Sequence, residues 1–83
     1  MPKRKIKLKF PWLSPDEITV ELLKWLVAEG DAIEIDQNLA EFTINGETFL
    51  LPSPLDGVLL EILAEPGAVV EQEETLGVIL SEY

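Results

Sequence analysis

An internal repeat restricts the possible folds of this chain more than any other feature of its sequence. When the chain is aligned with itself at an offset of 37 residues, Leu22–Val27 matches Leu59–Ala64 and Gly30 matches Gly67. Upstream, the offset changes to 39 residues, where Phe10 matches Phe49 and Ser14-Pro15 matches Ser53-Pro54. Each half has only about 40 residues, too few to bury a core alone. The sequence therefore predicts two related halves that pack face to face.

Residues 15–28 carry conflicting local signals. The run Ser14–Glu17 has the residues of a helix start, and apolar residues follow it at helical spacing. The second copy instead has Gly57 in the middle of the run and Pro66 near its end, and both residue types are unfavourable inside helices. Because related halves share a fold, we predict strands in both.

The remaining local patterns are typical of β-structure. Lysines alternate with apolar residues from Lys5 to Phe10, the pattern of a half-buried strand. Asn45-Gly46 separates two apolar runs and predicts a two-residue type I′ hairpin. Residues 29–31 and 65–67 form matching turn signals in the two halves. Short strands with frequent turns predict an all-β sandwich or flattened barrel.

Composition excludes several classes of function. The chain has no cysteine and no histidine, so it lacks a thiol nucleophile, a thiolate metal site and the commonest general base. Its net charge is −10, and from Pro11 onward only Lys24 opposes sixteen acids. Such a surface repels phosphate backbones and anionic lipid, so we expect neither nucleic acid nor membrane as a partner. No apolar run approaches the length of a membrane span, and we expect a soluble protein of the cytoplasm or an organelle matrix.

Three stretches closely resemble the lipoyl domain: Lys24–Asp31, Asp36–Glu41 and Pro52–Val58. The resemblance runs without a gap from about Phe10 to Ile79, over nearly the whole chain. It identifies the biotinyl/lipoyl-attachment family, nearest to the acyltransferase components of 2-oxoacid dehydrogenase complexes.

The resemblance implies a fold and a domain organisation. Family members form a flattened β-barrel of two antiparallel four-stranded sheets related by a quasi-two-fold axis. Residues 1–83 are then one domain, with related halves at about 5–42 and 47–81.

The resemblance also implies a site at the tip of the central hairpin. Family members carry a lysine there, in Asp-Lys-Ala for lipoate or Met-Lys-Met for biotin. Counting from both flanking motifs places Asn45, Gly46 and Glu47 at these positions. Gly46 has no amine, so we expect neither lipoate nor biotin. Because the chain also lacks cysteine and histidine and its serines have no base to activate them, we expect no metal ligand and no catalytic residue, and the chain is predicted not to be an enzyme.

Two hypotheses of function are open, with a weaker third. In the first, the chain is a cofactor-free interaction module whose partner is a 2-oxoacid dehydrogenase component or a lipoyl-attaching enzyme. In the second, it is a carrier domain whose acceptor lysine was lost or replaced, naturally or by engineering. The third is a structural barrel of an adaptor protein.

The candidate contact residues are Asn45, Gly46, Glu47 and Trp12. The hairpin tip is interpreted either as a stable turn only or as a contact surface for a partner. Trp12 lies outside the repeat register and is the candidate for an exposed anchor. Trp25 lies opposite Ile62 in the repeat and is predicted to belong to the core.

The charged runs are interpreted as structural. The basic strand from Lys3 to Lys9 matches a localisation or phosphate-binding patch only in composition, and edge-strand lysines that limit pairing or face acids are favoured. The acids at residues 31–36 and 71–74 lack the spacing of a calcium loop and are predicted to be a solvated face.

Overall fold

The computed structural model describes residues 3–81 of the chain. Its eight strands are β1 (Lys5–Lys9), β2 (Val20–Trp25), β3 (Ala32–Ile33), β4 (Asn38–Ile44), β5 (Glu47–Pro52), β6 (Gly57–Ile62), β7 (Val69–Val70) and β8 (Thr75–Ser81). The described range contains no helix, so the strands predicted for residues 15–28 in place of a helix are confirmed where β2 forms. None of the described residues builds a helix that spans a membrane.

The strands form two antiparallel four-stranded sheets, and the all-β sandwich is confirmed. The β1 sheet has the order β1-β8-β6-β3, and the β5 sheet has the order β5-β4-β2-β7. Each sheet takes two strands from each half of the chain, so the two related halves pack together with their strands interleaved in both sheets. Exchange of strands lets the backbone hydrogen bonds of each half be completed by the other half.

The hydrogen bonds outside the strand ladders repeat at the same offset of 37 residues. The amide of Gly30 donates to the carbonyl of Leu59 at 2.7 Å, and the amide of Gly67 donates to Leu22 at 2.7 Å. Both glycines have positive φ, at 93° and 91°, which confirms the matching turns. The quasi-two-fold relation is therefore present in the backbone as well as in the sequence.

The upstream part of the repeat has a different register from the predicted one. The amide of Phe10 donates to Glu74 at 2.9 Å, and the amide of Ser53 donates to Gln37 at 2.8 Å. Since Gln37 and Glu74 are equivalent, Phe10 corresponds to Ser53, and its predicted match with Phe49 is wrong. The connection at residues 10–19 has ten residues, whereas its counterpart at residues 53–56 has four, and this difference changes the offset.

The core lies between the two sheets. Phe10 is fully buried and packs edge-on against Phe42, with ring centroids 5.1 Å apart. Trp25 is half-buried against this cluster, and its indole N–H donates to the carbonyl of Ala64 at 2.8 Å. Trp25 therefore packs on the core as predicted and also links the two halves.

Strand β1 confirms the prediction of a half-buried edge strand. It pairs only with β8 among the described strands. Leu8 is buried and Ile6 is half-buried, whereas Lys5, Lys7 and Lys9 are exposed.

Candidate functional site at the hairpin tip

Asn45 and Gly46 form the two-residue loop that joins β4 to β5. Ile44 pairs with Glu47 across the base of the loop. The φ angles are 50° at Asn45 and 88° at Gly46, and two positive values in succession are those of a type I′ turn. The predicted hairpin is therefore confirmed, with Asn45, Gly46 and Glu47 all exposed.

The tip is fastened to the residue before β2. The amide of Asn45 donates to the carbonyl of Thr19 at 3.0 Å. In return, the amide of Thr19 donates to Oδ1 of Asn45 at 3.2 Å. Two hydrogen bonds therefore join these residues, one through the amide of Asn45 and one through its side-chain oxygen. They hold the turn in one orientation relative to the start of β2.

Gly46 occupies open space at the outermost point of the turn. A Cβ built on this residue would meet no atom within 4 Å beyond its chain neighbours. A larger side chain at this position would therefore project into solvent, although positive φ imposes a backbone cost on any residue other than glycine.

A shallow cavity adjoins the tip. It has a volume of about 410 Å³ and is lined by Ile44, Asn45, Glu47, Thr48 and Phe49. No group of three or more acids among residues 3–81 is placed to hold a metal ion. The lining of this cavity therefore includes one carboxylate, from Glu47, and part of the aromatic ring of Phe49.

Trp12 lies on the long connection between β1 and β2, with 57% of its surface exposed. Gln72 holds this connection in place: its side-chain Oε1 accepts hydrogen bonds from the amides of Leu13 and Ser14, and its Nε2 donates to the carbonyl of Ser14 at 2.8 Å. The exposure predicted for Trp12 is confirmed. Thr19 closes the same connection, so the loop that presents Trp12 ends against the hairpin tip.

The Ser14–Glu17 motif serves this loop rather than a helix. The hydroxyl of Ser14 accepts a hydrogen bond from the amide of Asp16 at 3.1 Å, which is the local geometry that also begins helices. No helix forms after it, because the next residues pair as β2.

Several acidic side chains in or beside the charged runs have structural partners that the sequence did not reveal. Asp31 Oδ2 accepts from the amide of Ala28 at 2.8 Å, and Glu29 Oε2 accepts from the amide of Ile62 at 2.8 Å. Glu74 Oε1 accepts from the amide of Glu71 at 3.0 Å. These acids fasten turns in addition to being solvated.

Sequence comparisons identify the family of the chain. A family profile described as "Biotin-requiring enzyme" matches residues 6–79. The chain belongs to the biotinyl/lipoyl-attachment family. Its β4–β5 hairpin is thus the central hairpin of a lipoyl-type domain.

Curated relatives that match the chain include components of dehydrogenase complexes. One is the dihydrolipoyllysine-residue succinyltransferase component of the 2-oxoglutarate dehydrogenase complex of Bartonella vinsonii subsp. berkhoffii, with 33% identity over 88% of this chain and 18% of the relative. Another is the lipoamide acyltransferase component of the branched-chain alpha-keto acid dehydrogenase complex of Pseudomonas aeruginosa, with 36% identity over 76% of this chain and 15% of the relative. The chain therefore spans less than a fifth of the length of these relatives.

Proposed function

We propose that this lipoyl-type domain is an interaction module whose hairpin tip contacts a protein partner without carrying lipoate or biotin. The observation that supports it is the residue at the tip. The register of the flanking motifs assigns the family's acceptor position to Gly46, which has no amine to form the amide bond. The neighbouring residues, Asn45 and Glu47, have none either.

The geometry of the tip supports a contact surface. The reciprocal hydrogen bonds between Asn45 and Thr19 order the turn before a partner arrives, so less conformational entropy is lost on binding. Trp12 supplies a large exposed aromatic group on the loop that ends at Thr19. Aromatic side chains of this kind often contribute much of the binding energy of an interface.

The class of partner is inferred from the relatives. Their names place them in 2-oxoacid dehydrogenase complexes. We propose that the partner is a component of such a complex or a lipoyl-attaching enzyme, and that binding, rather than catalysis, is the role of this chain. A basic docking face on the partner would suit the net charge of −10, and the cytoplasm or an organelle matrix would supply such partners.

The direct test is co-expression with lipoate-attaching and biotin-attaching enzymes, followed by intact-mass measurement. The unmodified sequence should gain no cofactor, whereas Gly46→Lys should gain one if the recognition surface is intact. Gly30→Lys is a matched control, because Gly30 also has positive φ and open space around its Cβ position. It should fold as well as Gly46→Lys and remain unmodified.

The result for Gly46→Lys also separates the two hypotheses of function, an interaction module and a carrier domain whose acceptor lysine was lost. Open space at Gly46 permits the test, since a restored lysine would meet no obstruction. Modification of Gly46→Lys alone would support an origin as a carrier domain. A folded Gly46→Lys that stays unmodified would show that the surface has diverged to serve another partner.

A further inference from the structure

The free edge of β1 combines three features that no contact within the described chain accounts for. These are an unpaired row of backbone groups, an apolar groove beside it and a row of exposed lysines. The edge is distinct from the hairpin tip, so a binding role for it goes beyond the proposed function and does not depend on it.

The backbone groups at the free edge can be assigned from the ladder between β1 and β8. The carbonyl of Arg4 accepts from Ser81 at 2.8 Å, and Ile6 and Leu8 lie opposite Ile79 and Gly77. In an antiparallel pair, alternate residues direct their N–H and C=O groups toward the partner strand. The intervening residues, Lys5 and Lys7, therefore direct theirs toward the free edge, where no other described strand pairs with them.

The groove lies where β1 and β5 border the opening between the two sheets. Its volume is about 600 Å³. The apolar part of its lining includes Ile6, Leu8, Phe49, Leu51 and Leu55. Phe49 and Leu55 are only partly buried, so the groove offers them an incomplete apolar environment.

The lysines give the edge its charge. Lys5, Lys7 and Lys9 are exposed, and their cross-strand neighbours on β8 are Leu80, Val78 and Thr75, none of which is acidic. Among residues 3–81 one ion pair is present, between Lys24 and Glu41 at 3.7 Å. Lys5, Lys7 and Lys9 therefore have no carboxylate partner within these residues. Asp36 lines the groove as its one acid.

We propose that the β1 edge binds an extended segment of a partner protein in which acidic and apolar residues alternate. Such a segment would extend the β1 sheet by one strand. Its acidic side chains would lie on the outer face beside the lysines, and its apolar side chains would enter the groove. Strand addition of this type gains affinity from main-chain hydrogen bonds and specificity from pockets for alternate side chains.

The lysine row also determines which strands are excluded. Two β1 strands brought edge to edge would place lysines against lysines, and like charges directly opposite destabilise a pair. Edge lysines commonly protect a sheet against self-association in this way. An acidic strand meets the opposite condition, so the occupant is an acidic segment of a partner rather than the β1 strand of a second copy.

The test uses fluorescence anisotropy to measure binding of a nine-residue peptide in which glutamate and valine alternate. Both ends of the peptide are capped, so that they carry no charge. A peptide of the same composition with its glutamates in one block should bind at least about tenfold more weakly, because it cannot present one face of each kind. Lys5→Glu/Lys7→Glu/Lys9→Glu should also weaken binding at least about tenfold. The control Leu50→Glu alters the outer position of β5 that is equivalent to Lys7, outside the groove and the hairpin-tip cavity, and should change the affinity far less than the triple variant.

A second comparison tests the main-chain hydrogen bonds. Lys7→Pro removes the edge N–H and should bind several-fold more weakly than Lys7→Gln, which removes only the charge. N-methylation of alternate amides of the peptide gives the same information without altering the protein: one set should abolish binding and the other should not. Circular dichroism checks that each variant is folded.

Several results would overturn the proposal. These are equal affinity for the alternating and block peptides, unchanged affinity in the triple glutamate variant, or equal effects of both N-methylated sets. Sedimentation that shows a stable dimer dispersed by Lys7→Pro would assign the edge to a second copy instead. Each result is independent of cofactor attachment at residue 46, so it leaves the proposed function standing.

Discussion

The two sheets have the same architecture and different chemistry. Equivalent strands occur in the same order in both, and the same turns close them. Yet the edge strand of the β1 sheet presents Lys5 and Lys7 where the edge strand of the β5 sheet presents Thr48 and Leu50. The backbone pattern is therefore maintained by turns and inward-facing residues, while outward positions are free to differ and to acquire separate binding roles.

Buried positions differ between the sheets as well. Phe10 and Ser53 occupy equivalent sites at the ends of β1 and β5, and both are buried. Phe10 fills space against Phe42, whereas the hydroxyl of Ser53 donates to the carbonyl of Leu55 at 2.7 Å. The two equivalent sites thus stabilise the fold by packing in one case and by a turn hydrogen bond in the other.

The largest expected effect is the loss of stability when Phe10 is replaced by a smaller residue. Phe10→Ala should reduce the free energy of unfolding by about 3–5 kcal/mol, because a large buried side chain is replaced by a cavity. Ser53→Ala should cost about 1 kcal/mol, the typical contribution of one hydrogen bond. Urea unfolding followed by circular dichroism measures both.

The comparison of Phe10 with Ser53 would fail if the two variants were equally destabilised. Should Phe10→Ala not fold, Phe10→Leu keeps the test available, with an expected loss of about 1–1.5 kcal/mol. Equal stability of Phe10→Leu and the unsubstituted chain would contradict the assigned packing.

Glycines of the β1 sheet give the next largest effect. A Cβ on Gly57 would collide with the carbonyl oxygen of Leu80, and one on Gly77 would lie 2.6 Å from the carbonyl oxygen of Glu61. The equivalent residues of the β5 sheet, Val20 and Ala40, carry side chains and are fully buried. Gly57→Ala and Gly77→Ala should each lower the free energy of unfolding by about 1–3 kcal/mol.

Thermal unfolding monitored by circular dichroism compares these glycine variants with Ala40→Gly. The reverse change should cost only about 0.5–1 kcal/mol, since it adds backbone freedom without a collision. If Gly57→Ala lowered the free energy of unfolding by less than about 0.5 kcal/mol, the close backbone contact at Gly57 would not distinguish the β1 sheet from the β5 sheet.

The smallest of the three effects concerns the two tryptophans. Trp25→Phe keeps the apolar contact and removes the hydrogen bond to Ala64, so it should cost about 1 kcal/mol. The matched change Trp12→Phe alters an exposed ring and should stay within about 0.5 kcal/mol. Chemical denaturation of both variants measures the difference, and equal losses would contradict the role given to the indole N–H.

Much of the fold was predictable because its signals are local or repeated. The Asn45-Gly46 turn requires two residues with positive φ, and this requirement is readable from the residue types. Alternation in β1 reports the inward and outward faces directly. The second copy, with Gly57 in mid-run, correctly decided against a helix at residues 15–28.

The errors and omissions arise from long-range contacts. The matched Ser-Pro pairs suggested an offset of 39 residues. The connection at residues 10–19 is longer than its counterpart at residues 53–56, and the sequence alone does not show which loop contains the extra residues. Gln72 fastens Ser14 from 58 residues away, a contact that no local pattern indicates. The groove beside β1 likewise needs the two sheets to be assembled before it exists.

At the candidate site, the sequence identified the exposed turn and the exposed Trp12. It did not indicate that Asn45 is held by Thr19, since this contact extends the pairing of β2 with β4 and joins residues 26 apart in the sequence. The pre-ordering of the tip was therefore visible only in the structure.

Peptide mapping of the unsubstituted chain, after co-expression with lipoate-attaching and biotin-attaching enzymes, tests the central claim most directly. Lys3, Lys5, Lys7, Lys9 and Lys24 supply all of its lysine side chains. The proposed cofactor-free function predicts that every one of them is recovered unmodified. A lipoyl or biotinyl group on any of these lysines would contradict it.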